Sequence, residues 1–216
     1  MKKKLAVALS VVNALNSIAP MALPYVNMTR DMSTRGGQVY GDEARDGLVP
    51  LWGSVAYAES ASVLPDNGQY QQIVGQGETG TVDTMNEGGL QIVTNGGTGT
   101  VSNMSGGIQH IEGGTGTVST MSGGGQTVHN GGTGTVSNMS DGVQDVLSGG
   151  NGTVSTMNDG RQYVSGNGTV SNMSGGLQKV LSGGNGTVTT MTGGTQNVSI
   201  GGSGTVNTMN GGVQTV

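Results

Sequence analysis

Between residues 80 and 216 the chain repeats one thirteen-residue block, G-T-V-x-x-M-x-x-G-x-Q-x-V, eight times, beginning at Gly80, Gly99, Gly116, Gly134, Gly152, Gly168, Gly186 and Gly204. The intervals run from 16 to 19 residues, the span of one solenoid coil. A unit of that size cannot bury enough apolar surface to offset the entropy of ordering it, so stability must come from stacking copy on copy. The repeat therefore restricts the fold to an array whose coils depend on their neighbours.

The residue types inside the block decide between helix and strand. Val at position 3, Met at position 6 and Val or Ile at position 13 have spacings that an amphipathic helix would tolerate. The intervening Gly, Thr, Ser and Asn are poor helix formers, however. Two extended runs fit better, T-V-x-x-M and x-Q-x-V, separated by Gly-Gly or Asp-Gly pairs such as Gly106-Gly107 and Asp141-Gly142 that suit a tight corner. Length varies mainly in the connector between one block and the next, which holds five residues at 94–98 and three at 165–167. The first block departs by one extra residue, Glu87.

Stacked coils place like residues over like, about 4.8 Å apart, as parallel strands, and parallel crossovers are right-handed. The expected fold is all-β: a right-handed parallel β-helix of about eight coils. Its rows are a Val row (Val82, Val101, Val118, Val136 and onward), a Met row (Met85, Met104, Met121, Met139 and onward), a Gln row (Gln91, Gln109, Gln126, Gln144 and onward) and a Thr row from Thr81 to Thr205. The apolar residue often found at position 10, such as Ile108, is assigned to the core with Val101, Met104 and Ile111. The Gln row is assigned a structural role, amides stacked along the axis as in cross-β assemblies.

The rest of the chain divides into a leader over 1–58 and a lead-in over 59–79. Lys2, Lys3 and Lys4 precede an apolar stretch over 5–15, the pattern of an export signal and too short for a transmembrane helix. Ala56-Tyr57-Ala58 offers a small-x-small cleavage site, and Ser17-Ile18-Ala19 an earlier one. From Glu59 onward two basic residues face nine acidic ones, the wrong sign for binding nucleic acid. The chain has no Cys, which removes disulfides and thiolate metal sites.

Catalytic chemistry requires converging groups, and the repeat scatters them. His110 and His129 fall at different repeat positions, and each is read as an isolated surface histidine. Asp83, Asp141, Asp145 and Asp159 are too few and too far out of phase for the paired carboxylates of glycoside cleavage. The G-G-x-G runs lack the Asp of calcium-binding nonapeptides. No catalytic, cofactor or metal site is expected.

The run Gly107-Ile108-Gln109-His110-Ile111-Glu112-Gly113-Gly114-Thr115-Gly116-Thr117-Val118 resembles the repeat of AIDA-type autotransporter adhesins, and the resemblance covers residues 80–216. It implies a passenger displayed on a Gram-negative surface or secreted, non-enzymatic, acting in attachment, autoaggregation or biofilm formation. Such members can also carry sugars on repeat Ser and Thr. The implied partners are a host or neighbouring-cell surface and further copies of the chain. An outer-membrane translocator is also implied, although this chain contains no segment with the aromatic girdles of a barrel. The alternatives are a purely structural spacer and a secreted solenoid. An ice-binding solenoid fits less well, because that function needs paired Thr columns and the positions after Val vary among Asp, Ser, Thr and Asn.

Overall fold

The structure, a computed structural model, describes residues 55–57, 61–64 and 71–216. The leader assigned to 1–58 lies outside the described residues except for Val55–Tyr57, as does much of the lead-in.

The described residues form seventeen strands and no helix. They are β1 (Val55–Tyr57), β2 (Ala61–Leu64), β3 (Gln71–Val74), β4 (Thr79–Met85), β5 (Leu90–Val93), β6 (Thr98–Met104), β7 (Ile108–Ile111), β8 (Thr115–Val128), β9 (Thr133–Val146), β10 (Asn151–Met157), β11 (Arg161–Val164), β12 (Asn167–Met173), β13 (Leu177–Val180), β14 (Asn185–Met191), β15 (Thr195–Val198), β16 (Ser203–Met209) and β17 (Val213–Thr215). A coil comprises one seven-residue strand and one four-residue strand. In β8 and β9 the two run together as a single strand.

Every pairing is parallel and joins equivalent strands of successive coils, so the chain is a parallel β-solenoid of about eight turns. Residues align by repeat position: Gly152 on Gly168, Val154 on Val170, Met157 on Met173 and Gln162 on Gln178. The irregular connector lengths leave this register intact because the extra residues sit at a corner. There Gly97 N–H donates to the Thr94 carbonyl at 2.9 Å, and Gly150 N–H to that of Leu147 at 2.9 Å. The connectors are thus a second regular corner rather than shapeless loops. At the first corner Gly142 takes a φ of 95°, open only to glycine at low cost, and the Asp141 carboxylate accepts its N–H at 2.7 Å.

Side-chain direction follows strand alternation with one interruption. In β6 the pattern runs Thr98 out, Gly99 in, Thr100 out, Val101 in, then Ser102 and Asn103 both out before Met104 in. Two outward residues in succession mark a bend, so each coil has three outward faces: T-G-T, x-x-M and x-Q-x-V. The Val and Met rows form one continuous buried cluster. The Val or Ile of position 13, including Val93, Ile111, Val128 and Val146, forms another buried row.

Position 10 is not part of the core. Gln109 and Ile111 point inward, so alternation turns Ile108 outward, where it is 43% exposed. Substituting Ile108 by Ser is therefore expected to shift stability by no more than about 0.5 kcal/mol. Thermal denaturation of the variant checks the assignment; a loss of several kcal/mol would return Ile108 to the core.

A candidate contact face

The Gln row is buried throughout its length from Gln72 to Gln196. From Gln91 onward each amide Nε2 donates to the Oε1 of the glutamine one coil before it: Gln109 to Gln91 at 2.6 Å, Gln126 to Gln109 at 2.7 Å, Gln144 to Gln126 at 2.6 Å and Gln162 to Gln144 at 2.6 Å. The second N–H of each amide reaches a glycine carbonyl, as from Gln126 to Gly116 at 3.4 Å. Among the described residues no buried side-chain nitrogen or oxygen lacks a partner. A row this well satisfied has no capacity left for an external ligand. Any site must therefore lie on the outward faces.

Two of the three faces are chemically uniform. The T-G-T face carries the Thr row and, two residues before it, Thr79, Thr98, Thr115 and Thr133, followed by Asn151, Asn167, Asn185 and Ser203. The Thr columns are therefore paired over four coils, contrary to the sequence expectation. That expectation looked past Val, where the strand bends away, instead of before Gly. Further along, Asn167 Nδ2 donates to Asn151 Oδ1 at 3.0 Å, continuing the column as an exposed amide ladder. The x-x-M face carries mostly Ser, Thr and Asn.

The x-Q-x-V face is different, because its inward residues fix the fold and leave positions 10 and 12 free to vary. Parallel register assembles position 10 into a column of Val143, Arg161, Leu177 and Thr195, and position 12 into Asp145, Tyr163, Lys179 and Asn197. This face carries both basic residues of the solenoid, Arg161 and Lys179, and Tyr163, the one Phe, Tyr or Trp between 71 and 216. Tyr and Arg are the residue types most often found to dominate binding energy at protein surfaces. Partial burial on this face raises the Asp145 carboxyl above its ordinary range.

The same face brings the two histidines together, correcting their reading as isolated. His110, at position 12 of β7, lies beside Thr127 of the next coil; His129, two residues on, shares its outward direction. His110 Nδ1 and His129 Nε2 are 3.3 Å apart, with ring centroids separated by 5.6 Å. Burial, then repulsion from His129, lowers the His110 pKa from 6.5, partly opposed by Glu112. A histidine with a lowered folded pKa binds fewer protons when native than when unfolded. Its contribution is thus complete above the unfolded pKa, about 6.5, and declines as pH falls below it. The wild-type melting temperature is expected to fall on acidification below that pH, and to fall less in His110→Ala; equal slopes in the two proteins would refute the assignment.

A shallow cleft of about 400 Å³ borders His110 and is lined by Glu87, Leu90 and Ile108 with neighbouring glycines. Among the described residues no three His, Asp or Glu side chains converge as a metal-binding group.

Comparison with known proteins returned no matching family model and no matching curated protein. Among solved structures the chain is similar to a TibC-catalyzed hyper-glycosylated fragment of TibA. That match has 29% identity and a TM-score of 0.46, and it covers 75% of this chain and 78% of the other.

Proposed function

We propose that this chain is the repeat region of an exported, non-enzymatic surface adhesin, in which the solenoid holds a contact face away from the cell. The observation that carries this reading is the segregation of residue types: two faces repeat themselves, while the x-Q-x-V face alone collects Tyr163, Arg161 and Lys179. The resemblance of the repeat to AIDA-type passengers supports display at the cell surface. Repeated shallow contacts along a rigid rod reinforce one another, so weak individual binding is sufficient for attachment or autoaggregation.

The test is attachment and autoaggregation by cells displaying the chain, compared with cells carrying the double variant Arg161→Ala, Tyr163→Ala. Both side chains point outward from the rod, so folding is preserved while binding falls at least about tenfold. If deletion of the gene leaves attachment and aggregation unchanged, the adhesive reading is wrong. If deletion abolishes them and the double variant does not, the contact lies on another face.

A second reading rests on the four coils with paired Thr columns, a flat array of hydroxyls and methyls of the kind that ice-binding solenoids present. Thermal hysteresis in solutions of the purified chain would support it, and its absence would remove it.

A further inference from the structure

The connector at 165–167 holds three residues, whereas those of the coils on either side, at 147–151 and 181–185, hold five. Where two five-residue corners follow one another their tips are hydrogen-bonded: Gly131 N–H donates to the Gly149 carbonyl at 3.0 Å, and Gly183 N–H to that of Gly201 at 2.8 Å. The short corner between them has no tip. Among the described residues, Gly149 N–H therefore finds no backbone acceptor and the Gly183 carbonyl no backbone donor. Contacts at the tips agree. A Cβ added at Gly149 or Gly201 would touch the preceding tip, at Asn130 Oδ1 or Ser182 Oγ, whereas one added at Gly183 would meet nothing within 4 Å. One backbone layer is thus missing from the corner, leaving a slot between two tips that stand roughly 9.6 Å apart, twice the strand spacing.

We propose that this slot binds an extended, acidic peptide segment of a partner protein, inserted as the missing layer. Its backbone accepts a hydrogen bond from Gly149 N–H and donates one to the Gly183 carbonyl, so one wall offers a donor and the other an acceptor, as the edges of a sheet do to an added strand. Side chains at the mouth supply the specificity. Leu147 and Leu181 begin the two flanking corners, and Leu147 is 39% exposed, so an aliphatic side chain of the segment can pack there. Tyr163 lies two residues before the short corner, in register with Lys179 on β13, and Arg161 precedes it on β11. These are the two basic residues of the solenoid, and their charge favours an acidic segment. Asp145 flanks Tyr163 on the other side, which places the acidic residue of the segment toward β13.

That the occupant is a protein met at the cell surface rests on the adhesive reading; the slot does not. The experiment lengthens the short corner by inserting Ser-Gly between Ser165 and Gly166, giving Ser-Ser-Gly-Gly-Asn, the length found at 181–185. This fills the slot while leaving Arg161, Tyr163 and Lys179 in place, and circular dichroism verifies the fold. A second variant, Leu147→Ser with Leu181→Ser, leaves the backbone unchanged. Phage-displayed random heptapeptides are selected on the full chain. Enrichment of sequences carrying an acidic and an aliphatic residue is expected, with synthetic copies binding at least about tenfold more weakly to both variants. If no peptide is enriched, or if those enriched bind the insertion variant as well as the wild type, the proposal is overturned. Dimerisation of the wild type that the insertion abolishes would assign the slot to a second copy and overturn it too. Failure of the adhesive reading is told apart because unchanged attachment after gene deletion leaves peptide binding to the purified chain intact.

Discussion

Replacement of Gln126 by Ala is expected to lower the stability of the central coils by about 3–5 kcal/mol, combining a cavity at a buried position with a broken amide ladder. Gln126 is inaccessible to solvent, and its loss strips Gln109 Oε1 of its donor and Gln144 Nε2 of its shortest acceptor. Gln144 keeps only the carbonyls of Gly134 and Thr153, both at 3.4 Å. Because coils are stabilised by their neighbours, the damage should also uncouple the array, so that denaturant unfolding becomes biphasic. Gln126→Glu sharpens the test. A carboxylate cannot donate to Gln109 and resists burial, so the folded pKa of the introduced acid must lie above its unfolded value of about 4.3. Such a group stabilises fully below the unfolded pKa and loses that contribution as pH rises through the folded one. The variant should therefore approach wild-type stability near pH 4 and be severely weakened at pH 7. A pH-independent defect would show that the ladder is not what holds this position.

Gly134→Ala should cost about 3 kcal/mol, near the top of the range for overpacking, even though alanine suits the local backbone. Gly134 faces inward on β9, where an added Cβ would strike Val128 Cγ2 and lie 2.7 Å from Gln126 Oε1. Neither neighbour can withdraw, because Val128 is packed in its row and Gln126 Oε1 is held by Gln144. The control is Gly131→Ala. That glycine is exposed at a corner with a φ of 76°, and nothing comes closer to an added Cβ than 3.8 Å, so only backbone strain of about 1 kcal/mol applies. Chemical denaturation of the two variants should separate them clearly. Equal effects would mean that conformational freedom, and not close approach, explains the glycine of G-T-V.

These two residues show how much of the fold can be read from the repeat. Val, Met and Gln recur at constant spacing, so their rows and the parallel stacking follow from the sequence directly. The glycine that opens the block recurs equally well, but its reason lies across the interior, in a valine and a glutamine that six to eight residues of chain bring opposite it. The outward turn of Ile108 follows from the inward turn of Gln109. A reading that places apolar residues inside and polar ones outside assigns this pair the wrong way round. The histidine pair is harder still. His110 and His129 meet on a diagonal, one inside the block and the other just beyond it, and only the side-by-side register of two coils reveals the contact. The paired Thr columns were hidden because the bend after Val separates residues that look adjacent in the sequence.

The backbone hydrogen bonds of the parallel ladder run along the rod, so tension applied to its ends loads them in the direction in which they separate. Coils should then peel away one after another instead of failing together. Each coil released adds about 18 residues of extended chain, roughly 60 Å, in exchange for about 4.8 Å of rod. A tether built this way lengthens by an order of magnitude before its covalent chain bears the load, and it recoils as the coils wind back onto the turns that remain.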